Sequence, residues 1–168
     1  MYSCRVLYDD NLNQLEMKQI ETEILINADI ETVWRVLTDF QNHVKWNPFI
    51  RSIKGEKVVG KAITVSIKPP GGNGMTFKPV VLKFNPHKEF RWKGKFLVKG
   101  IFDGEHYFIL EKVSDTQTKF IHGEIFGGVL VRMMGDVLNK TRNGFDLMNM
   151  ALKEECEKQI ESYRKVAV

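Results

Sequence analysis

The chain has 168 residues, enough for one globular domain, and 43% of them are hydrophobic, which supports a sizeable core. Its net charge of +4 is too small to indicate a nucleic-acid-binding protein, and no stretch approaches the roughly 20 apolar residues that a membrane span requires. The N-terminus lacks the basic and apolar regions of a secretory signal, so we expect a cytoplasmic protein.

The first strand is predicted to begin near residue 17, because the residues before it show no clean periodicity. We therefore interpret residues 1–16 as a peripheral arm and residues 17–168 as a single domain. Along the strand, alternate positions place four side chains on one face: Ile20, Thr22, Ile24 and Ile26.

A short helix is predicted next, with Asp29 as its N-terminal cap, because an aspartate can accept hydrogen bonds from the free amides of a first turn. Apolar residues then recur at spacings of three and four: Ile30, Val33, Trp34, Leu37 and Phe40. After this helix, Trp46 and Phe49 flank an Asn-Pro pair. Two interpretations of these aromatic residues are open: they close one end of the sheet, or they line a pocket.

The middle of the chain is predicted to form strands. Residues 50–56 and 62–68 have the pattern of a hairpin, and the Gly-rich segment 71–74 then turns the chain. Beyond it the apolar positions change phase at Pro79, which predicts a bulge or an edge position. In residues 89–95 basic side chains mostly alternate with aromatic ones such as Trp92, so the basic face is predicted to be solvated.

The last two predicted strands, residues 102–112 and 118–127, carry polar groups on faces that are otherwise aromatic. His106 lies on the first of these faces, and His122 and Glu124 lie on the second. Burying such groups is costly unless they are paired, so we expect them to contact each other, water or a ligand. A simple internal network, with His106 bonded to Glu124, and a ligand-binding site both fit this pattern.

One long amphipathic helix, residues 136–163, is predicted at the end of the chain, after a short helical segment at 129–134. Its apolar stripe recurs at near-heptad spacing: Leu138, Thr141, Phe145, Met148, Leu152, Cys156 and Ile160. Gly144 lies in mid-helix, where it indicates close approach of another group or room for a ligand. Adaptable methionines such as Met134 suit either ordinary core packing or an irregular pocket.

No cofactor and no metal are expected. Cys4 and Cys156 lie far apart without a CxxC spacing, which predicts neither a disulfide nor a zinc site. The Gly-rich segment 71–74 lacks the spacing of a phosphate-binding loop, and the chain contains no nucleophile elbow and no cofactor fingerprint.

These elements predict an α+β fold in which a curved antiparallel sheet of six to seven strands wraps around the long C-terminal helix. At about 4.8 Å per strand the sheet would be roughly 30 Å across, whereas a helix is only about 10 Å wide. The sheet must therefore curl around the helix. Such an arrangement leaves apolar space between the two, and apolar space with a few convergent polar groups is the usual form of a small-molecule site.

The order of these elements resembles the START-like superfamily, also called SRPBCC, over residues 18 to about 160. The residues that carry the resemblance are Asn27-Ala28, Val33-Trp34, Leu37-Thr38-Asp39-Phe40, Trp46-Asn47-Pro48-Phe49, Trp92, residues 102–108, and Phe120, His122, Glu124, Phe126 and Gly127. They are most similar to the bacterial polyketide cyclase/dehydrase-like branch. The resemblance implies the helix-grip fold. Its members bind lipids, sterols, polyketides or plant hormones, some catalyse cyclisation or dehydration, and others assist chaperones.

The leading functional prediction is a binding module that holds a hydrophobic small molecule between the sheet and the C-terminal helix. The predicted ligand-binding residues are Trp46, Phe49, Trp92, His106, Phe108, His122, Glu124, Phe126, Met134, Leu138 and Phe145. The first alternative is a cyclase or dehydratase that uses His106 or Glu124 as acid or base. The second is a protein-interaction module that uses the apolar loop 96–101. The sequence leaves the oligomeric state open.

Overall fold

A computed structural model of the protein describes residues 17–95, 103–128 and 135–166. The predicted arm at 1–16, the apolar loop 96–101, the short helical segment 129–134 and the proposed contact residue Met134 lie outside the described residues. The division into an arm and a single domain therefore stays a prediction.

Within the described residues, helices follow only the first strand and the last strand, and the strands between them run consecutively. In chain order they are β1 (Met17–Ile26), α1 (Ile30–Thr38), α2 (His43–Trp46), β2 (Ile50–Lys54), β3 (Thr64–Ile67), β4 (Met75–Phe77), β5 (Val80–Asn85), β6 (Glu89–Lys95), β7 (Asp103–Ser114), β8 (Gln117–Gly127) and α3 (Gly135–Val166).

The described strands form two antiparallel sheets rather than one continuous sheet of six to seven strands. The larger sheet has the order β1-β8-β7-β6-β5, and the smaller one has the order β2-β3-β4. An isolated bridge between Ala62 and Val80 connects them. Pro79, predicted to mark a bulge or an edge, lies between β4 and β5, where the chain passes from the smaller sheet to the larger one. Because proline has no amide proton to donate, it fits this break in the hydrogen-bonded ladder.

The predicted alternation of β1 and the predicted cap of α1 are both present. Ile26 at the end of β1 is fully buried, and Thr22 in the middle of the strand is 8% exposed. At the start of α1, the carboxylate of Asp29 accepts hydrogen bonds from the amide of Thr32 at 2.8 Å and from its hydroxyl at 2.9 Å. This cap fixes the direction in which α1 leaves the sheet.

The long helix α3 packs against the inner face of the larger sheet, as expected for the helix-grip fold. Phe145, Met148, Leu152 and Cys156 of its apolar stripe are fully buried. The helix begins at Gly135, one residue before the predicted start, and Asp136 lies in its first turn. No helix in the described part of the chain is long and apolar enough to cross a membrane.

Gly144 of α3 marks a close approach, one of the two interpretations left open above. A Cβ atom at this position would overlap the ring of Phe49, which enters from the start of the smaller sheet. Phe49 in turn packs edge-on against Phe145, with ring centroids 5.5 Å apart. The glycine therefore lets α3 and the smaller sheet come into contact through an aromatic ring, and the space it leaves is occupied by protein.

Candidate functional site

A mostly apolar cavity of about 190 Å³ lies where the two sheets meet the N-terminal part of α3. Its walls come from elements that are far apart in the sequence. The lining residues are Phe49, Ile50, Ile67, Pro69, Met75, Phe77, Trp92, Gly94, Gly104, His106, Glu124, Phe126, Val137 and Thr141. Only three of these described residues, His106, Glu124 and Thr141, carry polar side chains, so polarity is confined to a small part of the wall.

The carboxyl group of Glu124 occupies space that a glycine on the neighbouring strand leaves open. Glu124 on β8 faces His106 on β7 in the antiparallel register, and Gly104 lies two residues before this histidine. A Cβ atom at Gly104 would overlap Oε1 of Glu124. The missing side chain therefore allows the carboxyl to lie over the backbone of β7 at the cavity wall.

A continuous line of hydrogen bonds runs from this carboxyl into the core. Oε2 of Glu124 lies 3.4 Å from Nδ1 of His106, and Nε2 of His106 lies 3.0 Å from Nε2 of His122. Nδ1 of His122 lies 2.9 Å from Oδ1 of Asn149 on α3, and Nδ2 of Asn149 donates to Oγ1 of Thr22 on β1 at 2.9 Å. The Thr22 hydroxyl donates to the carbonyl of His122 at 3.2 Å. We call these five residues the Glu124 chain.

The far end of the Glu124 chain sets the direction of every bond in it. The amide of Asn149 donates to Thr22, so its oxygen accepts from the Nδ1–H group of His122. A neutral His122 then has its lone pair on Nε2, where it accepts from the Nε2–H group of His106. A neutral His106 is left with an acceptor at Nδ1, so the carboxyl of Glu124 must supply the proton for that bond.

Burial favours this same arrangement of protons. Desolvation raises the pKa of Glu124 to about 8 and lowers the pKa of His106 to about 3. Desolvation also lowers the pKa of His122 well below its usual value, and His106 lowers it further. At neutral pH, Glu124 therefore carries its proton and both imidazole rings are neutral. The side chain of Glu124 is 19% exposed, and it lines the cavity.

Aromatic rings hold both imidazoles in place. His106 lies flat on Trp92, with centroids 4.6 Å apart and an interplanar angle of 4°. His122 lies on Phe145 of α3, with centroids 3.7 Å apart and an angle of 18°. These stacks restrict rotation of the rings and exclude water from them, which accounts for the desolvation behind their lowered pKa values.

The predicted site residues fall into three groups in the structure. Those that line the cavity are Phe49, Trp92, His106, Glu124 and Phe126. Those that pack behind its wall, in ring contact with one or both histidines, are Phe108, His122 and Phe145. Leu138 is buried in the core on α3, and Trp46 lines a separate surface cleft with Arg35 and Gln159.

Sequence reasoning missed two members of the Glu124 chain and one wall of the cavity. Thr22 was predicted to share one face of β1 with three isoleucines, but a lone threonine gave no sign of a partner. Asn149 lies four residues after Phe145 on α3, so a polar residue one helical turn beyond a buried aromatic was the available signal. The wall from the smaller sheet, which includes Ile67 and Phe77, depends on how the two sheets meet, and local periodicity does not encode that.

Comparison with known families supports the resemblance seen in the sequence. The model of the family described as "Polyketide cyclase / dehydrase and lipid transport" matches residues 17–166. No curated protein matches the chain.

Solved structures with the same fold come from different kinds of organism. The Zhui aromatase/cyclase from Streptomyces sp. R1128 has a TM-score of 0.71 at 12% identity, covering 86% of this chain and 96% of its own. A norcoclaurine synthase point mutant from Thalictrum flavum, in complex with a transition-state analogue, has a TM-score of 0.69 at 12% identity and covers 88% and 99%. A START superfamily protein from Mycobacterium smegmatis has a TM-score of 0.64 at 14% identity and covers 84% and 98%. These likenesses confirm the predicted START-like helix-grip fold.

Proposed function

Because the chain belongs to the polyketide cyclase/dehydrase and lipid transport family, we propose that it is a cytoplasmic protein that binds a hydrophobic small molecule in its cavity. The ligand would be a lipid, a polyketide or an aromatic metabolite. The observation that carries this proposal is the cavity itself, whose largely apolar walls include the paired polar side chains of His106 and Glu124. Convergent polar groups in an apolar pocket orient a ligand while the walls supply most of its contact area.

The size of the cavity limits the ligand. Its volume of about 190 Å³ is below the roughly 300 to 1,000 Å³ of pockets that hold drug-sized molecules. A one- or two-ring aromatic molecule, or one end of a longer chain, suits this space. Phe49, Phe77, Trp92 and Phe126 present aromatic surface from four different strands or their flanks, so a flat ligand would meet rings on several sides.

The test uses 2-ethylnaphthalene, a neutral probe with no polar group, so that binding depends on the apolar cavity alone. We expect saturable binding by calorimetry or by probe fluorescence. The variant Ile67→Trp fills the cavity from β3 and should weaken binding by about tenfold or more. The matched control is Val113→Trp, at an exposed position near the end of β7, which should bind like the native protein. Equal binding by both variants, or none by the native protein, would contradict the proposal.

Acid–base catalysis is the second candidate function, and Glu124 supports it. A carboxylic acid whose pKa is raised to about 8, at a cavity wall and next to His106, has the protonation state and position of a general acid. The measurement is deuterium exchange at the α-carbon of bound 2-acetylnaphthalene in heavy water, followed by NMR. An enzyme should accelerate this exchange, and the Glu124→Gln variant should lose the acceleration when both proteins are saturated. A native protein that leaves the exchange rate unchanged would argue for binding alone.

A further inference from the structure

We infer that the Glu124 chain makes this cavity select a ligand with a neutral hydrogen-bond acceptor, such as a ketone, over a ligand with a carboxylate. In this arrangement Glu124 donates to the ligand, and Asn149 and Thr22 act as positioning residues that keep the proton on Glu124. The inference rests on the proposed function, because it concerns the polar end of the same cavity.

The hydrogen bonds of the Glu124 chain all run in one direction. Asn149 can present its oxygen to His122 because its amide nitrogen is held by the hydroxyl of Thr22. This fixes His122 as a donor at Nδ1 and an acceptor at Nε2, and the same polarity passes through His106 to the carboxyl. The proton on Glu124 is therefore set by an amide on α3 that two imidazole rings separate from the carboxyl.

Asn149 and Thr22 act only through the histidines. Asn149 is 2% exposed and Thr22 is 8% exposed, and neither is among the described residues that line the cavity. A ligand would contact Glu124 and His106 at the wall. Changes at Asn149 should therefore alter the proton affinity of Glu124 and leave the shape of the cavity as it is.

The charges around the cavity disfavour a carboxylate ligand. None of the described lining residues is a lysine or an arginine, so an ionised ligand carboxylate would meet Glu124 without a compensating cation. Burying an unpaired carboxylate is costly, whereas a ketone oxygen needs only the one donor that Glu124 provides.

Few charged groups on the described parts of the packed elements come near Glu124. From β7 the titratable group that faces Glu124 is His106, and His122 on β8 contacts the other ring nitrogen of His106. On β1, Lys18 lies opposite Phe126, and on α3 the charged residues that flank Phe145 are Arg142 and Asp146. Burial raises the pKa of the Asp146 carboxyl, and the charge of Arg142 opposes this rise only in part. Lys18, Arg142 and Asp146 lie outside the described residues that line the cavity.

The first experiment compares three probes of nearly equal shape on the native protein: 2-acetylnaphthalene, 2-isopropenylnaphthalene and 2-naphthoate. At about pH 6 the ketone should bind about tenfold more tightly than the alkene, and the carboxylate should bind most weakly. The advantage of the ketone over the alkene should disappear as the pH rises past about 8, while binding of the alkene stays constant.

The outcomes separate the inference from the proposed function. If the ketone and the alkene bind equally, or if naphthoate binds most tightly, the inference is overturned while the binding of apolar probes leaves the proposed function standing. If none of the three probes binds, both are overturned.

The second experiment tests the positioning role of Asn149 with the same ketone and alkene. In Asn149→Asp the new carboxylate favours a charged His122, which draws the proton from Glu124 towards the histidines. The pH at which the ketone loses its advantage should fall by about one unit or more, and alkene binding should be unchanged. The matched control is Asn143→Asp, at an exposed position on the same helix, which should keep the native profile. Identical pH profiles for the two variants would overturn the positioning role.

Discussion

Burial favours the uncharged forms of both Glu124 and His106. It raises the pKa of the carboxyl and lowers the pKa of the imidazole, so the single proton between them lies on Glu124. The distance agrees with this assignment. The 3.4 Å between Oε2 and Nδ1 is longer than the roughly 2.7 to 2.9 Å of charge-assisted hydrogen bonds. A charged pair would also leave two ions among the rings of Trp92 and Phe145, which apolar surroundings disfavour.

The raised pKa of Glu124 predicts how stability depends on pH. In the unfolded chain this carboxyl titrates near 4.5, and in the folded protein it titrates near 8. The lowered pKa values of His106 and His122 act in the opposite direction below about pH 6.5, but both histidines remain in the Glu124→Gln variant. The folded state retains the Glu124 proton between pH 4.5 and 8, so the contribution of Glu124 to the free energy of unfolding should fall as the pH rises through this range. In Glu124→Gln this fall should shrink by roughly 1 to 3 kcal/mol, a range that allows for partial screening by water in the cavity.

Urea unfolding at a series of pH values measures this effect. The control is Glu154→Gln on α3, an exposed position whose variant should follow the native curve. If the Glu124→Gln and native curves stay parallel across this range, Glu124 does not hold a proton in the folded state.

The candidate site could be predicted in part from the sequence, and the reason is local. His106, His122 and Glu124 stood out because a period of two places each of them on an aromatic face, where a polar group needs a partner. Asn149 and Thr22 did not stand out, because their role depends on a contact between α3 and β1 across more than a hundred residues. Periodicity predicts which face a residue lies on, but it does not predict the side chain opposite.

Among the helices and strands, features set by neighbouring residues were predicted, and features set by contacts between distant residues were missed. β1, α1 and the hairpin of β2 and β3 follow from alternation, a capping aspartate and turn residues, all of which act over a few residues. The division into two sheets does not, because it depends on which strands pair across the break at Pro79. The cavity lies at that junction, so its smaller-sheet wall was missed together with the division itself.

The contact between α3 and the smaller sheet predicts an unusual effect of a helix-favouring substitution. Replacing a mid-helix glycine by alanine normally stabilises a helix by about 1 kcal/mol. At Gly144 the added Cβ would overlap the buried ring of Phe49, so we expect Gly144→Ala to destabilise the protein by about 1 to 3 kcal/mol.

Thermal and urea unfolding check this prediction, and a double variant identifies the cause. Combined with Phe49→Leu, the alanine should cost much less than it does alone, because the overlapping ring is gone. Gly135→Ala is the control, since nothing described lies within 4 Å of a Cβ at that position. A stabilising Gly144→Ala would show that α3 and the smaller sheet are not held at this distance.

For the molecule as a whole, the position of the cavity links binding to folding. Its walls come from both sheets and from α3, so a bound molecule touches all three. A ligand that contacts all three should bind the folded chain and not the unfolded one. Its binding free energy is then added to the stability of the whole domain.

This linkage predicts the size of the stabilisation by 2-ethylnaphthalene. At a free concentration about 100 times its dissociation constant, the probe should add about 2.7 kcal/mol to the free energy of unfolding. For a domain of this size that corresponds to a rise of roughly 5 to 10 °C in Tm, measured by differential scanning calorimetry. Val113→Trp should show the same rise, whereas Ile67→Trp, with its cavity filled, should show almost none. An equal rise in both variants would mean that the probe binds elsewhere on the protein, and that the space between sheets and helix does not couple ligand binding to the fold.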